Sequence, residues 1–251
     1  MGVILALVNQ KGGVGSTTTA VNLAAALHRM GKRVLLCDFD PQANATSGFG
    51  AEKGAPSGTS YDIVLGEKDA ASCVLHTPFG DLIPSCAALS GAGVELVGAD
   101  GREYALRRAL EPLREQYDYM FIDCPPSLEL LTLNAICAAD RVLIPVQCEY
   151  YALEGLSDLM QTLRAVKRRL SPTIDVFGVL LTMYDGRTNF SAQVAEEVRR
   201  YFPGKVFAAV IPRNVRLCEA PSHGKPVYEY DRFSRGAQSY EQLAREVLER
   251  T

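Results

Sequence analysis

An apolar run, a glycine-rich turn and a helical pattern follow one another at the start of the chain. Residues 4–8 are apolar, residues 9–19 read Asn-Gln-Lys-Gly-Gly-Val-Gly-Ser-Thr-Thr-Thr, and residues 17–30 repeat apolar side chains at helical spacing. Glycines let backbone N–H groups approach an anion, and a helix N-terminus adds partial positive charge. The order strand, glycine-rich turn, helix therefore predicts a phosphate-binding loop. The alternative is a glycine turn that only packs a helix against a sheet.

Similar apolar runs recur along the chain between helical patterns. They cover residues 33–38, 119–123, 141–145, 177–181 and 206–211. Near-continuous apolar runs are typical of parallel strands that helices cover on both faces. The alternation predicts an α/β fold with a doubly wound, mostly parallel sheet, and 251 residues suit a single domain over residues 1–251. Residues 48–60 are rich in glycine, proline and serine and are expected to form a surface loop.

The composition excludes several classes of protein. Apolar residues make up 47% and charged residues 22% of the chain, which excludes disordered, collagen-like and coiled-coil proteins. No apolar run reaches the roughly 18 residues of a membrane-spanning helix, and the N-terminus lacks the basic segment of a signal peptide. Seven cysteines at scattered spacings match neither a disulfide ladder nor a paired metal-binding motif. We therefore expect a cytoplasmic protein with reduced thiols.

Charge is distributed unevenly along the chain, although the net charge is only −3. Residues 161–251 carry 15 Lys and Arg against 10 Asp and Glu, whereas residues 1–160 carry 11 against 19. A basic C-terminal third can offer a basic face to a polyanion such as nucleic acid. The alternative is that solvated helices are rich in arginine there without binding anything.

Aspartates stand at the carboxyl ends of two predicted strands, which is the edge where doubly wound folds bind ligands. Asp38 and Asp40 end the second run, and strand alternation places both on one face. Near a bound nucleotide, one carboxylate can orient or deprotonate a water while the other lies in the outer shell of Mg²⁺. The alternative is a pair of solvent-facing aspartates that cap the next helix. Asp123 ends another apolar run, as a Walker B carboxylate does.

Five motifs together resemble those of one family. The loop Lys-Gly-Gly-Val-Gly is similar to the start of the deviant Walker A motif, K-G-G-x-G-K-[ST]. The others are Asp-Phe-Asp-Pro-Gln at 38–42, Ile-Asp-Cys-Pro-Pro-Ser at 122–127, and the stretches 181–189 and 211–226. On these motifs the chain is identified as a member of the ParA/Soj family of partition ATPases over essentially its whole length. The last stretch, and the length without an N-terminal helix-turn-helix extension, resemble the chromosomal Soj subgroup.

The resemblance implies a P-loop NTPase fold of the deviant Walker A type, with ATP or ADP and Mg²⁺ as cofactors. Asp40 would position the attacking water, and Lys11 would reach the partner's phosphates in a nucleotide-sandwich homodimer. Thr17, Asp38 and Asp123 would hold the metal. The nucleotide-binding residues would be Gly12, Gly13, Val14, Gly15, Ser16, Thr17, Thr18, Pro212 and Asn214.

Ser16 departs from the family motif, which has its second lysine at this position. In P-loop NTPases that lysine contacts the β- and γ-phosphates and neutralises charge in the transition state. Losing a preorganised group at the reacting centre typically costs ~10²–10³ in rate. Because a serine hydroxyl is neutral and short, we expect impaired hydrolysis, whereas backbone N–H groups and Mg²⁺ still allow nucleotide to bind.

The implied function is ATP-dependent segregation of a chromosome or plasmid by a nucleoid-associated protein. An ATP-bound dimer would bind nonspecific double-stranded DNA through Arg187 and Arg216 and would be released on hydrolysis, which a ParB/Spo0J-type centromere-binding protein stimulates. One alternative is a nucleotide-regulated DNA-binding or scaffold protein that does not hydrolyse ATP. Another is a MinD-like membrane ATPase, but residues 240–251 lack an excess of basic residues and carry few apolar ones, so no membrane partner is expected.

Overall fold

A computed structural model describes residues 2–149 and 152–251, in which helices cover a central sheet. The strands are β1 Val3–Leu7, β2 Val34–Asp38, β3 Leu75–Thr77, β4 Gly80–Ile83, β5 Tyr119–Asp123, β6 Arg141–Gln147, β7 Asp175–Tyr184 and β8 Val206–Pro212. The helices are α1 Ser16–Arg29, α2 Asn44–Gly48, α3 Ser60–Leu65, α4 Ala92–Glu95, α5 Ala105–Leu110, α6 Leu130–Ala138, α7 Ala152–Arg169, α8 Asn189–Tyr201, α9 Val215–Glu219, α10 Val227–Tyr230 and α11 Arg235–Arg250. Short 3₁₀ segments cover Ala70–Cys73, Ala87–Gly91, Leu96–Gly98, Arg102–Tyr104, Glu111–Leu113 and Ala220–His223.

The strands form one sheet in the order β3-β4-β2-β5-β1-β6-β7-β8. The β3–β4 pair is antiparallel and the other neighbouring pairs are parallel, which confirms the predicted doubly wound α/β fold. β5 lies between β1 and β2, and the register aligns Asp123 with Leu7 on one side and Asp38 on the other. The phosphate loop, the Asp40 turn and Asp123 therefore meet at one edge of the sheet.

Helices bury both faces of the central strands. In β1, Ile4 and Ala6 belong to one hydrophobic core, whereas Leu5 and Leu7 belong to the core on the opposite face. Helices α1 and α11 contribute to the second core, and α5 to α8 contribute to the first. This burial is the physical reason for the near-continuous apolar runs of the sequence.

The strand boundaries differ from the prediction at β7, which covers Asp175–Tyr184 rather than 177–181, and at β6, which continues past Pro145 to Gln147. A proline has no N–H to donate and therefore marks a plausible end of a strand. However, β1 pairs with β6 only as far as Leu143, so Pro145 leaves no group of β1 unpaired. Its carbonyl accepts a hydrogen bond from Asn9 Nδ2 at 2.6 Å. The short β3–β4 hairpin was not predicted, because its strands carry no extended apolar run.

Gly178 in β7 has no room for a side chain, because the ring of Phe207 from β8 covers it. A Cβ atom at position 178 would lie 2.3 Å from Phe207 Cε2. Gly178→Ala should lower the free energy of unfolding by about 1–3 kcal/mol in urea denaturation, as overpacking does. In the Phe207→Leu background the same change should cost less, and strictly additive losses in the double-mutant cycle would contradict this packing account.

Candidate functional site

The glycine-rich loop connects β1 to α1 and is held by its neighbours on the sheet. Gly13 and Gly15 have positive φ angles of 76° and 87°, which glycine adopts without strain, and Gly15 caps α1. Asn9 Oδ1 accepts from the backbone N–H of Lys11 at 2.9 Å. Thr182 at the end of β7 donates from Oγ1 to the carbonyl of Val14 at 2.7 Å. The first N–H groups of α1 therefore point from a fixed position into the space above the loop.

Asp40 lies in the turn that follows β2, and its side chain is mostly buried. Its Oδ1 accepts from the backbone N–H of Gln42 at 2.9 Å, and its carbonyl accepts from Ala43. Ala43 has a positive φ of 52°, an uncommon conformation for a residue other than glycine. The turn thus holds the Asp40 carboxylate beside the phosphate loop.

Asp38 is fully buried and points toward the start of α2. Its Oδ2 accepts from the backbone N–H and the hydroxyl of Thr46, both at 2.7 Å, and Oδ1 accepts from the N–H of Asp40 at 3.2 Å. Burial raises the pKa of Asp38 to about 6, and the hydrogen bonds from Thr46 oppose this shift. Asp38 therefore fixes the turn that carries Asp40. The burial of both aspartates contradicts the alternative that they face solvent.

Asp123 lies between Asp38 and the phosphate loop, and it is also fully buried. Neither of its carboxylate oxygens has a hydrogen-bond partner among the described residues. Burial raises the pKa of Asp123 well above its usual range, and the charge of Asp38 adds to this rise. The hydroxyl of Thr17 is close enough to oppose the rise, although it does not reach hydrogen-bond geometry with either oxygen. An unpartnered buried carboxylate is costly for the free protein, so this position favours a cation as its partner.

Two neighbouring cavities open at this edge of the sheet. One, of about 390 Å³, is lined by the loop residues Lys11, Gly12, Gly13, Val14, Gly15, Ser16, Thr17 and Thr18 together with Asp40. The other, of about 490 Å³, is mainly apolar and includes Pro212 and Asn214. Gly15, Thr18 and Met183 line both cavities. The arrangement suits a ligand with a polyanionic part over the loop and a flat apolar part in the second cavity.

Two comparisons identify the family. A family model described as "AAA domain" matches residues 2–176. The chain is similar to the sporulation initiation inhibitor protein Soj of Bacillus subtilis, with 57% identity over 98% of each chain. This chain belongs to the ParA/Soj family of chromosome-partitioning ATPases. It is also similar to the chromosome partitioning protein ParA of Myxococcus xanthus, with 52% identity over 100% of this chain and 89% of that protein.

A solved structure with the same fold as this ParA/Soj family member contains a magnesium nucleotide. The structure is cobyrinic acid a,c-diamide synthase from Mycobacterium smegmatis with bound ADP and magnesium. Its TM-score is 0.87 and its identity 36%, with 99% of this chain and 94% of that chain covered. The fold of this family member is therefore one that holds a magnesium nucleotide in a related protein.

The two arginines predicted to bind DNA lie outside both cavities, and each is paired within the chain. Arg187 binds Asp185 through Nε and Nη2, at 2.9 and 2.8 Å. Arg216 contacts Glu219 at 2.8 Å and Asp231 at 3.3 Å. A polyanion that binds these arginines has to compete with these carboxylates.

Several residues of the cavities were missed from the sequence. Thr182 and Met183 come at the end of an apolar run, as Asp123 does. Their place at this edge of the sheet could therefore have been predicted from the sequence. Tyr240 of α11 lines the apolar cavity and bonds Thr19 of α1 at 3.1 Å, but nothing in the local sequence links it to the loop. Arg213 of the apolar cavity was also missed, as was Glu149, which lies outside both cavities and contacts Arg213 at 3.1 Å.

Asp123→Asn should stabilise the nucleotide-free protein while removing a ligand for a cation. At about pH 8 we expect the free energy of unfolding to rise by about 1–3 kcal/mol, because the amide carries no buried charge. Because folding raises the pKa of Asp123, the native carboxylate costs stability above the usual aspartate range, and this cost disappears at low pH. The gain should therefore shrink toward about pH 4 in a thermal-denaturation series. A loss of stability at about pH 8 would contradict this account.

Proposed function

We propose that this chain binds Mg²⁺-ATP at the sheet edge and acts in ATP-dependent partitioning of a chromosome or plasmid. The observation that carries the proposal is the unpartnered carboxylate of Asp123 behind a phosphate loop, in a member of the ParA/Soj family. The phosphates would lie against the backbone N–H groups of Gly12 to Thr18, and the base would occupy the cavity at Pro212 and Asn214.

The residues present fit a magnesium ion. Asp123 supplies a buried carboxylate without a protein partner, and Thr17 supplies a hydroxyl beside it. Hard oxygen ligands of this kind, together with phosphate oxygens and water, are what Mg²⁺ prefers. When bound, the ion would neutralise phosphate charge. Asp38 is a weaker candidate for the metal, because Thr46 and the N–H of Asp40 already donate hydrogen bonds to its two oxygens.

We assign hydrolysis to Asp40, which lines the phosphate cavity and is held by Gln42 and Ala43. A carboxylate so placed can accept a hydrogen bond from water and orient it toward a phosphate. Ser16 at the first position of α1 brings no positive charge to the loop. We therefore expect the native chain to hydrolyse ATP slowly but still to bind it.

The remaining steps of the proposal concern partners. ATP would close a homodimer in which Lys11, a partly exposed residue of the phosphate loop, reaches the partner's nucleotide. The dimer would bind nonspecific DNA on the nucleoid through Arg187 and Arg216, and a ParB/Spo0J-type protein would trigger its release. The basic C-terminal third of the chain supports this step.

The arrangement of α11 favours DNA over a membrane as the surface that the dimer binds. Tyr240, Leu243, Ala244 and Val247 on its apolar face are buried in the core, so this face is not available for lipid. In the described part of the chain, no helix is both long and apolar enough to cross a bilayer.

A lysine introduced at position 16 should raise the rate of ATP hydrolysis. We expect Ser16→Lys to raise ATP turnover by ~10²–10³ with Mg²⁺ and nonspecific duplex DNA, because the ammonium group neutralises charge in the transition state. Adding Asp40→Ala to Ser16→Lys should remove the gain. Similar turnover of the native chain and Ser16→Lys would contradict the expected role of this position.

Arg187 should contribute to ATP-dependent DNA binding through phosphate contacts. Arg187→Ala should weaken binding equally for all sequences and lower the salt dependence, d log K/d log[salt], by about one per chain. Asp185→Asn is the matched variant, since it frees the arginine and should strengthen binding. Fluorescence anisotropy with short duplexes at several salt concentrations measures both. DNA affinity that is the same with and without ATP would contradict this part of the proposal.

A further inference from the structure

The carboxylate of Glu149 contacts one cationic side chain from each of the two cavities. Lys11 Nζ lies 3.3 Å from Glu149 Oε2, and Arg213 Nη2 lies 3.1 Å from Glu149 Oε1. Gln147 Nε2 also donates to Glu149 Oε1. Lys11 lines the phosphate cavity and Arg213 lines the apolar cavity, so Glu149 connects cations from both.

These two cations are the positively charged side chains among the residues that line the cavities. Ser16, the first residue of α1, carries no positive charge. In the free chain Glu149 pairs with both, and its single negative charge offsets one of their two positive charges. Its two oxygens accept hydrogen bonds from an ammonium and a guanidinium group, which are also the groups that bind phosphate oxygens. Glu149 thus takes the position of an anion between Lys11 and Arg213.

We propose that Glu149 is an internal competitor of the nucleotide phosphates for Lys11 and Arg213. The inference rests on the proposed function, since the displacing ligand is the triphosphate of ATP. In the free chain the carboxylate contacts both cations. A triphosphate carries more negative charge and more acceptor atoms, so it displaces Glu149 and binds the released cations, Arg213 within the same chain and Lys11 across the proposed homodimer.

The ion pairs of Glu149 with Lys11 and Arg213 can be broken by a competing ligand. The side chains of Lys11 and Glu149 are each 42% exposed and that of Arg213 is 58% exposed. Exposed ion pairs of this kind contribute little to stability. Glu149 therefore sets the affinity for polyphosphate within a moderate range, and it does not prevent binding.

Glu149→Gln tests the competition, because glutamine keeps the shape and removes the charge. We expect calorimetric titration with Mg²⁺-ATP to give roughly threefold to tenfold tighter binding than the native chain. Glu196→Gln is the matched control, since Glu196 forms an exposed ion pair with Arg200 on α8. The control should bind ATP like the native chain. Unchanged or weaker ATP binding by Glu149→Gln would overturn the inference.

Inorganic tripolyphosphate separates this inference from the proposed function, because it needs no base cavity. Tighter tripolyphosphate binding by Glu149→Gln than by the native chain is expected. If none of the three proteins binds ATP, the proposed function fails, and tighter tripolyphosphate binding by Glu149→Gln still supports the competition. In that case, equal or absent tripolyphosphate binding in native and variant chains would overturn the inference as well.

Discussion

The carboxylate of Asp123 is buried at the centre of the sheet edge without a hydrogen-bond partner, and the functional site is arranged around it. It lies in register with Leu7, where the phosphate loop leaves β1, and with Asp38, where the Asp40 turn leaves β2. A buried charge of this kind destabilises the free protein and favours a cationic ligand. The buried carboxylate thus lowers the stability of the free chain, and a bound cation would remove this loss.

The surrounding contacts keep the two loops beside Asp123 in fixed positions. Thr182 on β7 and Asn9 hold the phosphate loop, and Asp38 holds the Asp40 turn through Thr46. At the mouth of the site the contacts are different in kind. The pairs of Glu149 with Lys11 and Arg213 are exposed and therefore easily exchanged for a ligand. Fixed loops beside Asp123 and easily broken ion pairs of Glu149 suit a protein that alternates between free and nucleotide-bound states.

The elements that are marked by a short continuous stretch of sequence could be predicted. The glycine-rich turn, the apolar strands and their terminal aspartates all lie in short stretches, and the structure confirms the strands and brings the aspartates together. The strand order was not predictable in this way, because the insertion of β5 between β1 and β2 depends on long-range pairing. Glu149 and Tyr240 were missed for the same reason, since tertiary packing alone brings them to the loop. Arg213 stands inside a recognised motif, but its ion pair is not visible from the sequence.

This edge of the sheet is proposed to bind nucleotide together with Mg²⁺ even though position 16 is a serine. The most direct test is the affinity of the native chain for ATP, measured by equilibrium titration with Mg²⁺ and again with the metal removed by a chelator. We expect saturable binding of ATP in the presence of Mg²⁺ and clearly weaker binding without it. No binding, or an affinity that is independent of Mg²⁺, would contradict the role given to Asp123.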